Sequence, residues 1–237
     1  LPLDSGGGCS CCGDCGDGVR RSRGGGVING DTAASGKAAG SRQKRIDTFA
    51  QDNSEDIFRK AQAYTVRIKT SVPVPFSGDS RGILIGAGFV VDAGRGWIMT
   101  NAHVVSRSPA RVQVAFHGQE YGPARKVYVD PFLDLAVIET QPDKGRKLAA
   151  AELECRDQPA MGHPVGAYGH PWLFYYTGTR GIVSGVTSKY RTEYLQTDAP
   201  IDSGNSGGPL ISLTSGKIVG INTAAMREPR SKNTSFA

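Results

Sequence analysis

Ser206 is the residue of this sequence whose setting most favours chemistry. It follows Gly204 and precedes Gly207 and Gly208, after which the chain returns to an apolar run at Leu210. Glycine tolerates positive φ and lets backbone N–H groups face a ligand, so this loop can present a hydroxyl beside hydrogen-bond donors. The chemistry would be nucleophilic attack on a carbonyl. The alternative is an ordinary turn between two strands, and the local residues favour neither interpretation over the other.

A serine hydroxyl is a poor nucleophile unless a base removes its proton, and the chain has four histidines. His103 follows a strand-like run and stands among small and apolar residues that would hold it against a core. His117 lies in a predicted hairpin turn, while His163 and His170 each precede a proline in a loop. His103 is therefore the candidate base, although a half-buried histidine is by itself more often structural.

A carboxylate would fix the tautomer of this histidine and stabilise its charged form. Asp134 opens an apolar strand-like run, where an unpaired charge would be costly. Asp130 is the rival candidate, but an aspartate directly before a proline is more typical of a turn. The candidates thus occur along the chain in the order His103, Asp134, Ser206.

Short β-like segments must position these three residues. Alternation of apolar and polar residues begins at Tyr64–Lys69, and about six short strands are predicted before residue 141 with no long helix between them. Parallel strands need helical crossovers, so the pattern favours an antiparallel barrel. A second strand set follows, in which Phe174–Thr179 and Gly181–Val186 are predicted as separate strands. The sequence therefore predicts an all-β protein with two similar halves that meet at a cleft.

Composition divides the chain into four segments. Few large apolar side chains occur in the Gly-, Ser-, Arg- and Cys-rich start, which predicts disorder there, and an amphipathic helix capped at Ser54 follows. The polar, turn-rich run 141–147 separates the two halves, and Asn233–Ala237 resemble the start of a last strand that is cut short. The predicted bounds are 1–45 for the tail, 46–63 for the helix and linker, 64–145 for the first barrel and 146–237 for the second.

Charge and cysteine content argue against several function classes. About half of the net charge of +6 lies in the tail, and no basic helix carries interleaved aromatic residues, so we expect no nucleic-acid partner. No apolar run approaches the roughly 18 residues of a membrane span. Cys9, Cys11, Cys12 and Cys15 crowd into the tail while Cys155 stands alone, and without a second ligand cluster they favour low complexity over a zinc site. We expect no metal and no other cofactor.

Several blocks of the sequence together resemble the HtrA/Deg-like trypsin-fold serine proteases. These blocks are Thr100–Val105, Asp134–Val137, Gly181–Gly185, Gln196–Leu210 and Val219–Thr223. The match extends over roughly residues 55–237 and includes all three candidate catalytic residues. The resemblance implies two six-stranded antiparallel β-barrels with the active site in the cleft between them.

The resemblance also implies a mechanism. Ser206 would attack the scissile carbonyl and form an acyl-enzyme, His103 would act as general base and then general acid, and Asp134 would orient His103. The backbone N–H groups of Gly204, Asn205 and Ser206 would form the oxyanion hole. The implied activity is that of an ATP-independent serine endopeptidase acting on polypeptides, unfolded proteins included.

Substrate preference follows from the position six residues before the nucleophile. Trypsin-like enzymes that cut after Lys or Arg carry an aspartate there, whereas this chain has Pro200. The resemblance therefore implies a small or medium apolar P1 residue, with Ile201 as a wall of the pocket. An alternative function is a latent or inactive chaperone or binding module on the same fold, because loops of this family can hold the oxyanion hole collapsed. An esterase with the same triad is a third reading.

Assembly and location rest on the resemblance alone. The family often forms homotrimers, to which Phe49 and Phe58 could contribute, although packing of the helix on the core is the simpler use for them. A periplasmic or other extracytoplasmic location is favoured. Many relatives carry PDZ domains after the protease, and none is visible in this sequence.

Overall fold

An amphipathic helix, α1 (Ser54–Tyr64), leads into the strands. Its residues Ile57, Ala61 and Tyr64 are buried and lie on one face, as the 3.6-residue period requires. The predicted cap at Ser54 is wrong, because Ser54 is the first helical residue and Asn53 occupies the N-cap position without a side-chain capping hydrogen bond. The helix is thus held by packing of its apolar face.

Phe58 shows what that packing achieves. Its ring stacks on Tyr168 with 5.7 Å between ring centroids. It also occupies the space that side chains would fill at Gly166 and Gly178, where an added Cβ would lie 2.6 Å and 3.0 Å from the Phe58 ring. Phe58 therefore anchors the helix to the second half of the molecule.

The computed structural model describes residues 53–141, 147–171, 175–189, 192–225 and 235–236. The predicted tail with Cys9, Cys11, Cys12 and Cys15, Phe49, and most of the turn-rich run 141–147 lie outside these ranges. Neither helix within them combines the length and the apolar character that crossing a bilayer would need.

Six antiparallel strands close into a barrel in the spatial order β1-β2-β3-β6-β5-β4, as predicted. A short helix, α2 (Ala102–Val105), follows the third strand. Alternate residues point inward, and Phe89, Ile98 and Ile138 are among the largest fully buried side chains of the core. The strands are β1 (Thr65–Val72), β2 (Gly82–Asp92), β3 (Trp97–Thr100), β4 (Arg111–Ala115), β5 (Gly122–Asp130) and β6 (Leu135–Thr140).

The second half is a seven-stranded sheet in the order β11-β10-β7-β8-β9-β13-β12. The all-β class is confirmed, but the described residues of this half form an open sheet and not the expected second closed barrel, because no pairing joins β11 to the two-residue strand β12. The strands are β7 (Pro164–Gly169), β8 (Thr177–Lys189), β9 (Thr192–Thr197), β10 (Pro209–Ser212), β11 (Ile218–Ile221), β12 (Ala224–Ala225) and β13 (Ser235–Phe236).

Strand β8 corrects the predicted break at Gly181. One strand of 13 residues, Thr177–Lys189, covers what the sequence divides into two, and Phe174 lies outside the described residues. Gly181 serves close approach rather than a turn, since a Cβ there would lie 2.3 Å from the backbone nitrogen of Ala199. The glycine lets the segment before the Ser206 loop pack directly against β8.

Asp79 ties the loop after β1 to the segment that follows α2. It accepts hydrogen bonds from the hydroxyls of Ser106 and Ser108 and from the Ser108 N–H at 3.1 Å. Lys126 Nζ donates to the Ser106 and Ser108 carbonyls at 3.0 Å and 2.6 Å. The two serine hydroxyls, with the Ser108 N–H and the charge of Arg107, lower the pKa of Asp79 to about 2 although its partial burial opposes this. The carboxylate therefore fixes where α2 ends.

We predict a pH-dependent stability loss for Asp79→Asn. A carboxylate with a lowered folded-state pKa stabilises the protein above the unfolded pKa near 4, and that stabilisation disappears as the pH falls toward about 2. The melting temperature of the variant should lie below that of the wild type at pH 7, and the gap should narrow below pH about 4. Thermal unfolding followed by circular dichroism across this range measures the effect.

Asp92→Asn is the matched control, because Asp92 bonds to Arg95 at the surface, through an ion pair at 3.7 Å and by accepting the Arg95 backbone N–H at 2.9 Å, which the asparagine oxygen can also accept. Its melting temperature should stay close to that of the wild type at every pH. A gap for Asp79→Asn that is the same at pH 3 and pH 7 would contradict the role of the ionised carboxylate.

Candidate active site

His103 is carried by α2, directly after the barrel strand β3. Its neighbours Ala102, Val104 and Val105 are buried and hold the short helix against the barrel, whereas the His103 side chain is 49% exposed. The helix start is tied to Asp134, whose carbonyl accepts from Asn101 Nδ2 at 2.9 Å and from the Ala102 N–H at 3.2 Å. The histidine is thus placed by backbone and packing while its ring remains accessible.

The Asp134 carboxylate contacts His103 at two points, the ring and the backbone N–H. Asp134 Oδ2 lies 2.7 Å from His103 Nδ1, and Asp134 Oδ1 accepts from the His103 backbone N–H at 3.0 Å. Asp134 adopts φ of +52°, a left-handed conformation that is unfavourable for a residue other than glycine. Such strain persists where surrounding contacts hold it, as the hydrogen bonds to the backbone and carboxylate of Asp134 do here.

Burial by itself raises the pKa of Asp134. The hydrogen bonds from the His103 ring and backbone, the charge of His103 and a hydrogen bond from Thr223 outweigh this effect and hold the pKa of Asp134 below its usual value. The carboxylate therefore stays ionised beside the imidazole. An ionised partner that accepts from Nδ1–H leaves Nε2 as the basic nitrogen of the ring.

Thr223 is a functional residue that the sequence reasoning missed. Its hydroxyl donates to Asp134 Oδ2 at 2.8 Å, and its carbonyl accepts from Ser206 Oγ at 3.3 Å. Thr223 follows β11, and in the sequence it stands only at the end of a block that resembles the family. A hydroxyl residue after a strand is too common a pattern to single it out without the fold.

Two glycines permit the shape of the Ser206 loop. Gly204 has φ of +103° and Gly207 has φ of +84°. A Cβ at Gly204 would lie 2.2 Å from the His170 carbonyl oxygen, and one at Gly207 would lie 2.2 Å from the Ala87 carbonyl oxygen. Glycine is thus required here both for its conformation and for close backbone approach.

The Ser206 loop is bonded to both halves of the molecule. The Ala87 N–H of β2 donates to the Ser206 carbonyl at 2.8 Å, and the Gly207 N–H donates to the Asn222 carbonyl at 2.8 Å. Gly86 of β2 lies between Ser206 and the residue after His103, since a Cβ there would lie 2.7 Å from Val104 Cγ2 and 2.9 Å from the Ser206 oxygen. Strand β2 therefore brings the nucleophile candidate near the base candidate.

The predicted catalytic residues are only partly joined by hydrogen bonds. His103 and Asp134 are bonded directly, whereas no hydrogen bond links His103 to Ser206 within the described part of the chain, and Ser206 Oγ donates to Thr223 instead. Thr223 thus connects Ser206 to Asp134. The Ser206 hydroxyl proton is thus directed to the Thr223 carbonyl.

The predicted oxyanion donors differ in their availability. The Asn205 N–H donates to the Asp202 carbonyl at 2.9 Å, so it is already in use. For the N–H groups of Gly204 and Ser206, no acceptor is found among residues 53–141, 147–171, 175–189, 192–225 and 235–236. Gly204 and Ser206 therefore offer the two donors that a ligand could use.

The two predicted substrate-binding residues occupy different environments. Ile201 is only 5% exposed and packs in the core of the second half with Val183 and Leu210. Pro200 is exposed, and its carbonyl accepts from Thr179 Oγ1 at 2.8 Å. The segment before the nucleophile thus has an apolar interior side at Ile201 and a solvent side at Pro200.

The rival residues have structural roles. Asp130 accepts the backbone N–H groups of Phe132 and Leu133 at 2.8 Å and 3.0 Å, which is the turn role that the following proline suggested. His163 Nε2 lies 2.8 Å from Ser212 Oγ in a loop, and His117 packs against Tyr176. Neither histidine is paired with Asp134.

Comparisons with known proteins agree with this geometry. The family model described as the trypsin-like peptidase domain matches residues 86–221. The mitochondrial serine protease HTRA2 of Bos taurus is 38% identical over 71% of this chain and 37% of its own length. The periplasmic serine endoprotease DegP of Escherichia coli K12 is 36% identical over 60% of this chain and 30% of its own length. The chain thus spans roughly a third of these relatives.

A solved structure supports the same fold. The crystal structure of the serine endoprotease from Yersinia pestis is 30% identical to this chain and superposes with a TM-score of 0.62. The superposition covers 77% of this chain and 61% of that chain. The range of the family model, residues 86–221, contains His103, Asp134 and Ser206.

We predict that Thr223→Val raises the pKa of Asp134. The variant removes a donor to the carboxylate while keeping the size of the side chain, and a lost hydrogen bond to the charged form favours the neutral form. Thr223→Ser, which keeps the hydroxyl, should leave the pKa close to that of the wild type. Carbon-detected NMR titration of the aspartate carboxyl groups, with Asp134→Asn to assign the signal, measures it. An unchanged Asp134 titration in Thr223→Val would contradict the hydrogen bond.

Proposed function

Since the chain belongs to the trypsin-like peptidase domain family and is an HtrA-like serine protease by its relatives, we propose that it hydrolyses peptide bonds through a Ser206-His103-Asp134 triad. The observation that carries the proposal is the 2.7 Å contact of Asp134 Oδ2 with His103 Nδ1 on an accessible histidine. The proposed site lies in a cleft between the two halves. The hydrogen bond from β2 to the Ser206 carbonyl supports this location.

In the proposed mechanism, Ser206 Oγ attacks the scissile carbonyl and His103 Nε2 takes its proton. Asp134 keeps the His103 ring in the required tautomer through Nδ1 and stabilises the imidazolium that forms. His103 then returns the proton to the leaving amine, and water hydrolyses the acyl-enzyme by the same route. No step uses ATP or a metal.

The tetrahedral oxyanion would be held by the N–H groups of Gly204 and Ser206. Each such donor contributes about 10²- to 10³-fold to the rate of comparable enzymes. The Asn205 N–H is the weaker candidate, because it already donates to Asp202. Preformed donors need no reorganisation when charge develops, which is the main advantage of a fixed loop.

A latent protease-fold chaperone or binding module is the second candidate function. The observation that favours it is the hydrogen bond from Ser206 Oγ to the Thr223 carbonyl, which occupies the hydroxyl proton that His103 would have to accept. Catalytic hydrogen bonds are often long or misaligned until substrate binds, so this geometry is also compatible with an active enzyme. A ligand that favours the active arrangement would shift the population toward it.

We predict that a fluorophosphonate probe labels the wild-type chain and does not label Ser206→Ala. His103→Ala should reduce the labelling rate about 10³-fold or more, because the base is lost. Ser203→Ala is the matched control, since Ser203 is an exposed serine of the same loop and should label normally. Fluorescence after gel separation measures the rates.

Labelling that survives in Ser206→Ala would overturn the assignment of the nucleophile. Casein digestion by the untreated wild type, abolished after fluorophosphonate labelling, supports the endopeptidase. Failure of both labelling and digestion, with binding of unfolded protein intact, would favour the second candidate function. Ester turnover without amide turnover would identify an esterase.

The preference at P1 is proposed to be for small or medium apolar residues. Ile201 gives the segment before the nucleophile an apolar interior side, and Pro200 stands where a basic-specific enzyme would carry a carboxylate. A buried pocket without a carboxylate has nothing to pair with a lysine or arginine side chain, whose desolvation would then be uncompensated.

We predict at least about tenfold higher kcat/KM for peptides with Ala or Val at P1 than for those with Arg, which corresponds to about 1.4 kcal/mol. Pro200→Asp should reduce the difference in kcat/KM between these peptides, because it adds a negative charge. Pro200→Asn adds no charge and should leave the difference unchanged. Fluorogenic peptides that differ only at P1 measure the ratio. Wild-type preference for Arg would contradict the proposal.

The proposals for substrates, location and assembly rest on the names of the relatives and on the family resemblance. We take polypeptides, unfolded proteins included, as the substrates, because the relatives are named proteases. An extracytoplasmic location is supported by the periplasmic name of the DegP relative, whereas the bovine relative is named mitochondrial. A homotrimer stays a proposal that rests on the family resemblance.

A further inference from the structure

His170 is a buried titratable residue that the proposed mechanism does not use. It lies in the loop before Pro171, as predicted, and is 1% exposed. Its Nδ1 accepts the Tyr176 N–H at 3.0 Å, and its ring meets the Tyr176 ring edge to face with 4.5 Å between centroids. The ring therefore bridges the two ends of the connection from β7 to β8.

The backbone of His170 is in direct contact with Gly204. The His170 N–H donates to the Gly204 carbonyl at 3.3 Å. A Cβ on Gly204 would lie 2.2 Å from the His170 oxygen and 3.2 Å from Pro171 Cα. The peptide between His170 and Pro171 thus packs flat against Gly204, and any shift of one would move the other.

We propose that His170 is a positioning residue that sets the Gly204 N–H in the orientation required to bind the oxyanion. The ring is fixed by its hydrogen bond with Tyr176, the ring fixes the His170–Pro171 peptide, and this peptide fixes Gly204. The inference rests on the proposed function, because Gly204 has an oxyanion to bind only in an acyl-transfer enzyme. His170 itself touches no reacting atom.

The protonation state of the ring suits this role. Burial and, second to it, the charge of Arg67 lower the pKa of His170 to about 3, although a hydrogen bond with the Val66 backbone opposes the shift. The ring is therefore neutral at physiological pH. Because Nδ1 accepts from Tyr176, the proton is on Nε2, which makes no hydrogen bond of good geometry within the described residues.

The partner of His170 is itself anchored to the first barrel. Tyr176 adopts φ of +60°, an unfavourable conformation that neighbouring contacts must hold, and its ring packs against His117 at 4.7 Å. The adjacent Tyr175 ring lies 4.2 Å from the Arg67 guanidinium, which also faces Tyr121 at 5.0 Å. These contacts link the position of Gly204 to the barrel that carries His103.

The test compares His170→Leu with His170→Asn. Leucine fills the space but leaves the Tyr176 N–H without an acceptor, whereas asparagine can place its side-chain oxygen near the position of Nδ1. Protein samples are normalised by active-site titration with a fluorophosphonate. We expect kcat per active site to fall about 10- to 100-fold in the leucine variant, with KM changed less than about threefold, and to be largely retained in the asparagine variant.

An oxyanion mimic separates positioning from simple destabilisation. A peptide boronic acid forms a tetrahedral adduct with the nucleophile, so its Ki should rise about as much as kcat falls in His170→Leu. His163→Leu is the matched control, because His163 bonds to Ser212 at the end of β10 and not to Tyr176, and it should change neither kcat per active site nor Ki. A leucine variant with lowered melting temperature but unchanged kcat and Ki would overturn the inference.

Two further outcomes are distinguishable. If the wild type is not labelled or inhibited, the proposed function fails and the inference falls with it; if the wild type is active and the leucine variant is equally active, the inference alone fails. Should His170→Leu not fold, nitrogen NMR of ¹⁵N-histidine wild type replaces it, with His170→Asn to assign the signal. Boronate binding should shift the His170 Nδ1 resonance, and an unresponsive resonance would overturn the inference.

Discussion

A charged carboxylate directly before β6 is the constraint on which the candidate site depends. Asp134 is held in a left-handed conformation, and its carbonyl and carboxylate accept five hydrogen bonds, from Asn101, Ala102, Thr223 and, twice, His103. Burying a carboxylate without such donors would cost several kcal/mol. The same bonds that make the charge tolerable therefore also define where α2 begins and how the imidazole is turned.

Close backbone approach is the second constraint, and it explains why the Ser206 loop is rich in glycine. A side chain at Gly207 would collide with Ala87 of β2, and one at Gly204 would collide with His170 of the second half. The loop is thus enclosed between two surfaces, with little room for alternative shapes. A loop enclosed in this way can keep N–H groups directed outward without a bound ligand to hold them.

Much of the site could be predicted from local sequence, because glycine around Ser206, a charge opening the strand of Asp134 and a histidine after a strand are each unusual on local grounds. Thr223 and His170 could not, since a hydroxyl after a strand and a histidine before a proline are ordinary patterns. Their roles arise from contacts with residues distant in the chain. The continuous strand through Gly181 could not be predicted for the same reason. This glycine is required by the close approach of a neighbouring segment and does not form a turn.

The long-range contacts of Thr223 and of His170 link the first barrel to the second half of the molecule. Thr223 joins Asp134 of the first barrel to Ser206 of the second half, and the aromatic contacts of Arg67 and Tyr176 join the first barrel to Gly204 through His170. Ser206 and Gly204, the proposed nucleophile and oxyanion donor, are thus each linked by a separate route to the barrel that holds His103, the proposed base. If the Ser206 hydroxyl turns from Thr223 to His103 when substrate binds, the change is confined to one side chain, and the donors opposite it need not move. Latency and preorganisation are therefore compatible in this loop.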